Sequence, residues 1–318
     1  MSAIGIVTVV TNEKYNLNDF YVSLTEQTFK DFTLYFVDNN STDGSSEHFK
    51  ELNGSNDIKV TYIRLDHNSG FSAGSNTGAQ QAINDGCEYL FISNNDLIYD
   101  KNAISELIKL VGNNSGIVCA GPLLMMHSKK SPGIIQEFGG KINFKRGTMV
   151  KNFEAALLHT VTLPEVMDTD FVGGGVCFIR ADVFAKIGMF ETSYFGYFDE
   201  IDLSYRLRVL NNYKMAVTSK AIMWHDHYWT KKQNTNYYFE YYLSERNKFL
   251  YYHKYKMYFS MLLMFAEDSI KFPWRLRWFM GICDFKLGMY YLRGMLHGLM
   301  NKKGKPGFLL RNAKQSDQ

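Results

Sequence analysis

Cysteine is scarce and scattered. Cys87, Cys119, Cys177 and Cys283 form no CxxC pair, which excludes a disulfide scaffold and a cysteine zinc site and points to a reducing compartment. Only five prolines occur in 318 residues, and no low-complexity linker divides the chain. Long apolar runs are missing too: the longest near-uninterrupted piece, residues 257–266, is about half of the roughly 20 residues a spanning helix requires. The opening MSAIGIVTVV has neither a basic n-region nor a cleavage site, so it reads as a first strand and not a signal peptide. No GxGxxG follows that strand, and neither GxxxxGK[ST] nor GxSxG occurs. Those absences disfavour dinucleotide binding, P-loop chemistry and a serine-nucleophile mechanism.

What the chain does have is apolar mass. At 46% apolar and 21% charged residues it can fill one α/β domain plus an appendage. Its net charge of +3 hides a division, because residues 251–318 carry twelve Lys/Arg against four Asp/Glu, or +8, leaving −5 for residues 1–250. In that basic part Tyr251, Tyr252, Tyr255, Tyr258, Phe259, Phe265, Phe272, Trp274, Trp278 and Phe279 interleave with Lys254, Lys256, Lys271, Arg275 and Arg277. Aromatics at headgroup depth with cations on anionic phosphates describe a membrane-surface element; an oligomer contact or a lid on the body is the duller alternative. Nucleic acid is disfavoured, since no recognition motif accompanies the charge.

Along the first 130 residues strand and helix patterns alternate. Residues 4–10 are a continuous β-branched apolar run, the mark of a strand buried on both faces. Helices are expected over 17–28, 45–52, 73–85 and 103–111, and strands over 33–37, 60–65, 89–93 and 117–120. Repeated βαβ units predict a mainly parallel sheet with helices on both faces. Regularity falls over 121–170, which suggests a loop or hairpin insertion. Residues 171–180 are strand-like but interrupted by Gly173-Gly174-Gly175, where backbone approaches a ligand or another strand. A helix over 181–187 stops at Gly188.

Ligands of open α/β sheets gather at the carboxyl ends of the strands. Three such ends carry polar, turn-forming residues: Asp38 to Gly44, Asn68 to Gly78, and Asn94-Asn95-Asp96. The first could be a turn ending in helix N-cap residues, the last a plain loop; together they outline a site. Gly70, Gly74 and Gly78 are spaced four apart, which keeps one helix face bare for another backbone or a flat ring. Without a phosphate-binding glycine loop, a pyrophosphate would be neutralised by a divalent cation. Asp96, a hard oxygen ligand on an exposed strand end, is the natural holder of Mg2+ or Mn2+. If residues 199–210 form a helix, Asp202 and Arg206 are an i,i+4 pair of structural character, while Glu200 shares an inward stripe with Leu203 and Leu207. An inward carboxylate at a helix start suits a general base, and Asp199 suits an N-cap.

Asp38-Asn39-Asn40-Ser41-Thr42-Asp43-Gly44-Ser45, Asn68-Ser69-Gly70 with Asn76, Asn94-Asn95-Asp96, and Tyr197-Phe198-Asp199-Glu200-Ile201-Asp202-Leu203 with Arg206 together resemble family 2 glycosyltransferases. They stand in that family's order, and the likeness runs over roughly residues 3–250, reaching His225 and Arg246-Asn247. Its flavour is that of the bacterial rhamnosyltransferase-like branch. The resemblance implies a GT-A fold, a Rossmann-like mixed, mainly parallel sheet flanked by helices over 1–250; the basic, aromatic composition of 251–318 adds a helical extension. It implies inverting transfer from a dTDP- or UDP-linked sugar, rhamnose favoured, to a surface-polysaccharide or lipid-linked glycan. The cytoplasmic face of the cell membrane is the expected place.

On this pattern Thr11, Glu13, Asp38, Asn68, Gly70, Asn76, Asn94 and Asn95 lie on the donor side, with Asp38 on the nucleobase. Asp96 and His225 hold Mn2+ or Mg2+ beside the diphosphate, and Glu200, with Asp199 next to it, supplies the base. Three departures stand out. Asn94 replaces the first acid of the family's DxD, which implies weaker metal dependence. Tyr228 stands where a glycine is usual, and Asp199-Glu200 reverses the usual Glu-Asp. The rival readings are a non-catalytic sugar-nucleotide or glycan-binding protein on the same fold, a UDP-hexose or UDP-HexNAc transferase, and a nicotinamide-dependent reductase.

Overall fold

A computed structural model describes residues 2–114, 116–126, 133–173, 175–225, 235–281 and 285–308. His227, the other histidine of this stretch, and Tyr228 lie outside the described residues.

The chain starts with β1 (Ile4–Val10), α1 (Leu17–Thr25), β2 (Phe32–Asp38), α2 (Ser45–Leu52), β3 (Lys59–Arg64), α3 (Phe71–Asn84) and β4 (Tyr89–Ser93). β5 (Leu97–Tyr99), α4 (Ala103–Gly112) and β6 (Ile117–Met126) follow. The expected elements are present with edges moved by a few residues, except that β6 extends well past residue 120. The insertion consists of β7 (Ile135–Glu137), the hairpin β8 (Gly140–Asn143) and β9 (Thr148–Lys151), and β10 (Val166–Asp168). Then come β11 (Val176–Arg180), α5 (Ala181–Lys186), α6 (Asp199–Ser204) and β12 (Lys214–His225). The chain continues in α7 (Thr235–Lys254), α8 (Tyr258–Gly281) and α9 (Phe285–Leu299).

The main sheet runs β10-β12-β6-β11-β4-β1-β2-β3. β4, β1, β2 and β3 are mutually parallel, and β11 is antiparallel to both its neighbours. Nearly every residue of β1 and all of β2 are buried, as their unbroken apolar runs require. One face is covered by Leu17, Phe20, Phe49, Ile104 and Leu107 from α1, α2 and α4. The other is covered by Ala79, Ala82, Phe184, Leu203 and Leu207 from α3, α5 and the segment after α6. The fold is therefore the GT-A arrangement, a mixed, mainly parallel sheet between two helical layers with C-terminal helices attached.

Two expectations change in detail. The bare face of α3 is filled by the sheet: a Cβ on Gly74 would lie 2.9 Å from Val9, and one on Gly78 2.6 Å from Val7. The small residues let helix and strands close up, so no ring or ligand enters there. The helix expected over 199–210 is α6 followed by a wider, π-type turn, Tyr205–Leu210. Leu203 and Leu207 of the projected stripe are buried in one cluster, and only its first member, at the helix start, is not. Asp199 and Asp202 face inward, whereas Glu200 is only half-buried.

α7 runs unbroken through residue 250, and its Phe249, Leu250, Tyr251 and Tyr252 pack with Ile142, Phe171, Tyr194 and Phe198 of the body. α9 lies against α7 so closely that a Cβ on Gly298 would be 2.6 Å from the Arg246 carbonyl. Among the described residues no helix is long and apolar enough to cross a membrane.

Candidate active site

The site follows from strand ends. At the end of β2, Asp38 is buried, receives the guanidinium of Arg64 from β3, and accepts the Ser41 N–H at 2.7 Å. Arg64 also donates to the Ser41 carbonyl at 3.0 Å, so a turn that the sequence shows as polar becomes a rigid shelf. Gly44, in left-handed conformation, occupies the cap position of α2; Asp43 serves the helix start by accepting the Ser45 N–H at 3.0 Å. Asn39 bridges to the next strand end, donating to Asn68 Oδ1 at 3.1 Å and accepting the Ser69 N–H at 2.9 Å. Gly70 (φ +86°) could not be another residue without displacement, because a Cβ there would lie 2.1 Å from the Phe195 carbonyl.

Thr11 directly follows β1, and Glu13 stands two residues on. Burial pushes the Glu13 carboxyl up to about 7, with the Asp96 charge adding to the rise and the Asn95 side chain opposing it. Glu13 thus joins the end of β1 to the Asn94-Asn95-Asp96 turn. That turn connects β4 directly to β5, a strand the sequence did not reveal. β5 pairs with β12 so that Leu97 faces His225, and this register sets His225 Nε2 3.1 Å from Asp96 Oδ2. Asn94 rests on Gly175 (φ +81°), where a Cβ would collide with its carboxamide at 2.3 Å. That explains one member of the glycine triplet.

The donor set at Asp96 fits a divalent cation shared with a diphosphate: one carboxylate, one imidazole, and phosphate oxygens to complete the shell. It does not fit an all-protein cage, since among the described residues no group of three or more His, Cys, Asp or Glu is placed to hold an ion.

The third part is α6. Asp199 is buried and accepts the Ser72 hydroxyl; burial raises its carboxyl well above the usual range. Asp202 is more fully committed still. It accepts Arg206 Nε at 2.8 Å, Lys254 Nζ at 2.8 Å, and the hydroxyls of Tyr194 at 3.1 Å and Tyr255 at 2.8 Å. Glu200 remains as the carboxylate that reaches the open side. Burial raises it above the ordinary value, with the Glu137 and Glu240 charges adding and the Lys151 charge opposing.

Glu137 and Lys151 escaped the sequence reading. Glu137 sits buried at the end of β7 with Lys151 Nζ 3.2 Å away, packed where a Cβ on Gly173 would touch its Oε1 at 2.3 Å. The signal was present: an acid between Ile135 and Phe138 in a buried strand demands a partner. Its neighbour Gln136 meets His225 Nδ1 at about 3 Å. β7 therefore links the Asp96–His225 pair to the surroundings of Glu200. Asn76 is the exception. Its carboxamide holds Phe190 by backbone N–H (3.0 Å) and carbonyl (2.9 Å), a framework position apart from this cluster.

The loop before α6 is strained and firmly held. Phe195, Tyr197 and Phe198 all have left-handed φ, at 70°, 62° and 74°, each costing on the order of 1–3 kcal/mol. Asn247 of α7 donates to the carbonyls of Tyr194 (3.2 Å), Gly196 (2.8 Å) and Tyr197 (2.9 Å). Arg246 donates to Tyr194 O and Gly304 O, both at 2.6 Å. The Arg246-Asn247 pair thus fixes the direction in which Glu200 emerges.

Residues 5–159 match the family profile described as glycosyl transferase family 2. A curated relative, the low-salt glycan biosynthesis hexosyltransferase Agl10 of Haloferax volcanii, is 26% identical over 258 residues, 78% of each chain. Among solved structures, the mannosyltransferase PcManGT from Pyrobaculum calidifontis in complex with GDP-Man and Mn2+ superposes with TM-score 0.59 at 10% identity, over 94% of this chain and 88% of that one. GalNAc-T7 with UDP, GalNAc and Mn2+ gives 0.57 at 15% identity over 71% of this chain, which spans only 44% of that protein. At such identities the structural likeness speaks for the fold alone, and the sequence matches record a similarity to glycosyl transferase family 2. Together they support a family 2 glycosyltransferase of the GT-A fold.

Proposed function

We propose that the chain is an inverting glycosyltransferase. It takes a hexose-type sugar, rhamnose favoured by its motifs, from a dTDP- or UDP-linked donor and passes it to a hydroxyl of a surface or lipid-linked glycan at the cytoplasmic face of a membrane. The observation that carries this reading is the convergence of a half-buried, proton-hungry Glu200 with the Asp96–His225 pair, through Glu137 and Gln136 of β7. A carboxylate raised by burial is a stronger base than an exposed one and still opens to solvent.

In this reading Asp38, Asn68, Gly70 and the turn at Thr11 and Glu13 cradle the nucleoside end, while Asn94 and Asn95 line the diphosphate. Asp96 and His225 would hold Mn2+ or Mg2+, which supplies positive charge to the departing nucleotide diphosphate. Glu200 accepts the acceptor hydroxyl's proton as that oxygen attacks the anomeric carbon and the bond to the diphosphate breaks. Holding both partners in line is the larger part of the task. One displacement inverts the anomeric centre.

The test is a panel of dTDP-rhamnose, UDP-glucose, UDP-galactose and UDP-GlcNAc, each with Mn2+, Mg2+ or EDTA, read by binding and slow hydrolysis. Selective turnover of one donor, lost in Asp96→Ala and in Glu200→Gln while the glutamine variant still binds nucleotide, is the expected result. Nucleotide binding with turnover indifferent to both variants would sink the catalytic assignment and favour a binding protein on this fold.

A further inference from the structure

We propose that the groove between α8 and the β8–β9 turn docks the chain on an anionic lipid bilayer, with lipid phosphodiesters seated among Lys145, Arg146, Lys256 and Lys271. The proposal deepens the reading of a lipid-linked acceptor and rests on it for its purpose, though not for its test.

The groove has a volume of about 800 Å³, and its wall is both apolar and cationic. Phe259, Ile270 and Trp274 of α8 are 74%, 73% and 72% exposed, and Leu262 and Leu263 are 64% and 53% exposed. Residues 259, 263, 270 and 274 recur at spacings of four, seven and four, so they form one stripe on the helix. Such an exposed stripe, on a helix whose other side packs against α7 and α9, is unusual for a chain that stays in water. Its rim holds four cations against the single acid Glu267, which pairs with Arg146 and Lys271. Lys145 and Lys256 are exposed and enter no ion pair among the described residues. A second copy would be a poor occupant, because a two-fold contact sets this cation-rich patch against the same cation-rich patch. An anionic surface satisfies both features at once, taking the apolar stripe at the acyl boundary and the lysines among phosphates.

Position supports the same occupant. The hairpin whose turn carries Lys145 also carries Lys151, the partner of Glu137 beside Glu200. Six residues of chain separate them, a span of at most about 20 Å. The hairpin therefore runs from the proposed headgroup site to the Lys151–Glu137 pair, whose charges act on Glu200.

The experiment is sedimentation of the full chain with vesicles of phosphatidylcholine alone or phosphatidylcholine with phosphatidylglycerol, alongside donor hydrolysis without vesicles. Preferential binding to the anionic vesicles, weakened by added salt, is expected. Lys145→Gln with Lys256→Gln should weaken that partitioning roughly thirtyfold, and Phe259→Ser with Leu262→Ser should weaken it also, with vesicle-free hydrolysis unchanged in both. Equal binding to both vesicle types overturns the proposal. So does a concentration-dependent dimer, dispersed by the Phe259 and Leu262 changes, in a chain that ignores vesicles. Vesicle binding without turnover of any donor would instead overturn the transferase reading and leave the docking surface standing.

Discussion

Asp199, Glu200 and Asp202 fall within four consecutive positions of one short helix, and their environments set them apart. Asp202 is neutralised by Arg206 and Lys254. Asp199 is buried, with its bond to the Ser72 hydroxyl, and its carboxyl is raised well above 3.8. The folded state therefore holds that proton more tightly than the unfolded chain. Its contribution to stability is present below about 3.8 and fades as pH rises through the raised folded value. Asp199→Asn keeps the acceptor for Ser72 and removes the titration. The melting temperature of the variant relative to wild type should thus climb as pH is raised from acid to neutral; a constant difference would mean that Asp199 ionises freely in the fold. Glu200 permits a sharper test, because its neighbours pull in opposite directions. The acid limb of the kcat/KM profile should lie above the ordinary carboxylate value of 4.5. Lys151→Met should move it to higher pH and Glu137→Gln to lower pH. Shifts of the same sign in both variants would show that Glu200 is not the titrating base.

At the scale of elements, the sequence showed what short-range pattern encodes. β1, β2 and β4 were legible because both faces are buried and their apolar runs are unbroken. The strand-end clusters were legible because turns need Asn, Asp, Ser and Gly. β5 was not, since three residues after Asn94-Asn95-Asp96 are too few to show a period, and only pairing with β12 makes them a strand. Glu137 and Lys151 were missed for a related reason: one lies at the end of a three-residue strand and the other in a hairpin partner, and only the sheet brings them to Glu200. Asn76 misled in the opposite way, because its motif looked like donor binding while its carboxamide clasps Phe190. Asn247 illustrates a residue singled out without its consequence. The resemblance reached it, but its grip on three carbonyls of a left-handed loop was not visible. Asn247→Ala should cost about 1–3 kcal/mol of stability and about a hundredfold in kcat through misplacement of Glu200, with nucleotide affinity close to wild type. A variant as unstable as expected but with kcat unchanged would reduce the residue to a scaffold part.

The whole molecule closes on its site from the far end of the sequence. After α9 the chain turns at Gly304, whose N–H donates to the Ser193 carbonyl at 2.8 Å while its own carbonyl accepts Arg246 at 2.6 Å. Lys305 follows, its Nζ 5.9 Å above the Phe195 ring and 3.5 Å from the Asn68 carbonyl. Residues 304 and 305 thus touch the strained loop before α6 and the proposed donor loop together, more than a hundred residues from the first and more than two hundred from the second. A variant ending at Lys302 leaves the vesicle groove of α8 intact and removes this closure together with the Phe308 ring packed on Tyr242, Tyr290 and Arg293. Arg246, buried and with its charge already disfavoured by burial, would lose a carbonyl partner at a cost of about 1–3 kcal/mol. Donor affinity and kcat should then fall together, since both loops lose the same brace, while binding to anionic vesicles persists. If the shortened chain binds vesicles and also turns over donor at the full rate, the braced loops are rigid on their own and the C-terminal turn is a passive cover. If it loses vesicle binding while donor turnover stays whole, the docking surface extends into residues 303–318 and the groove on α8 is not sufficient to hold the bilayer.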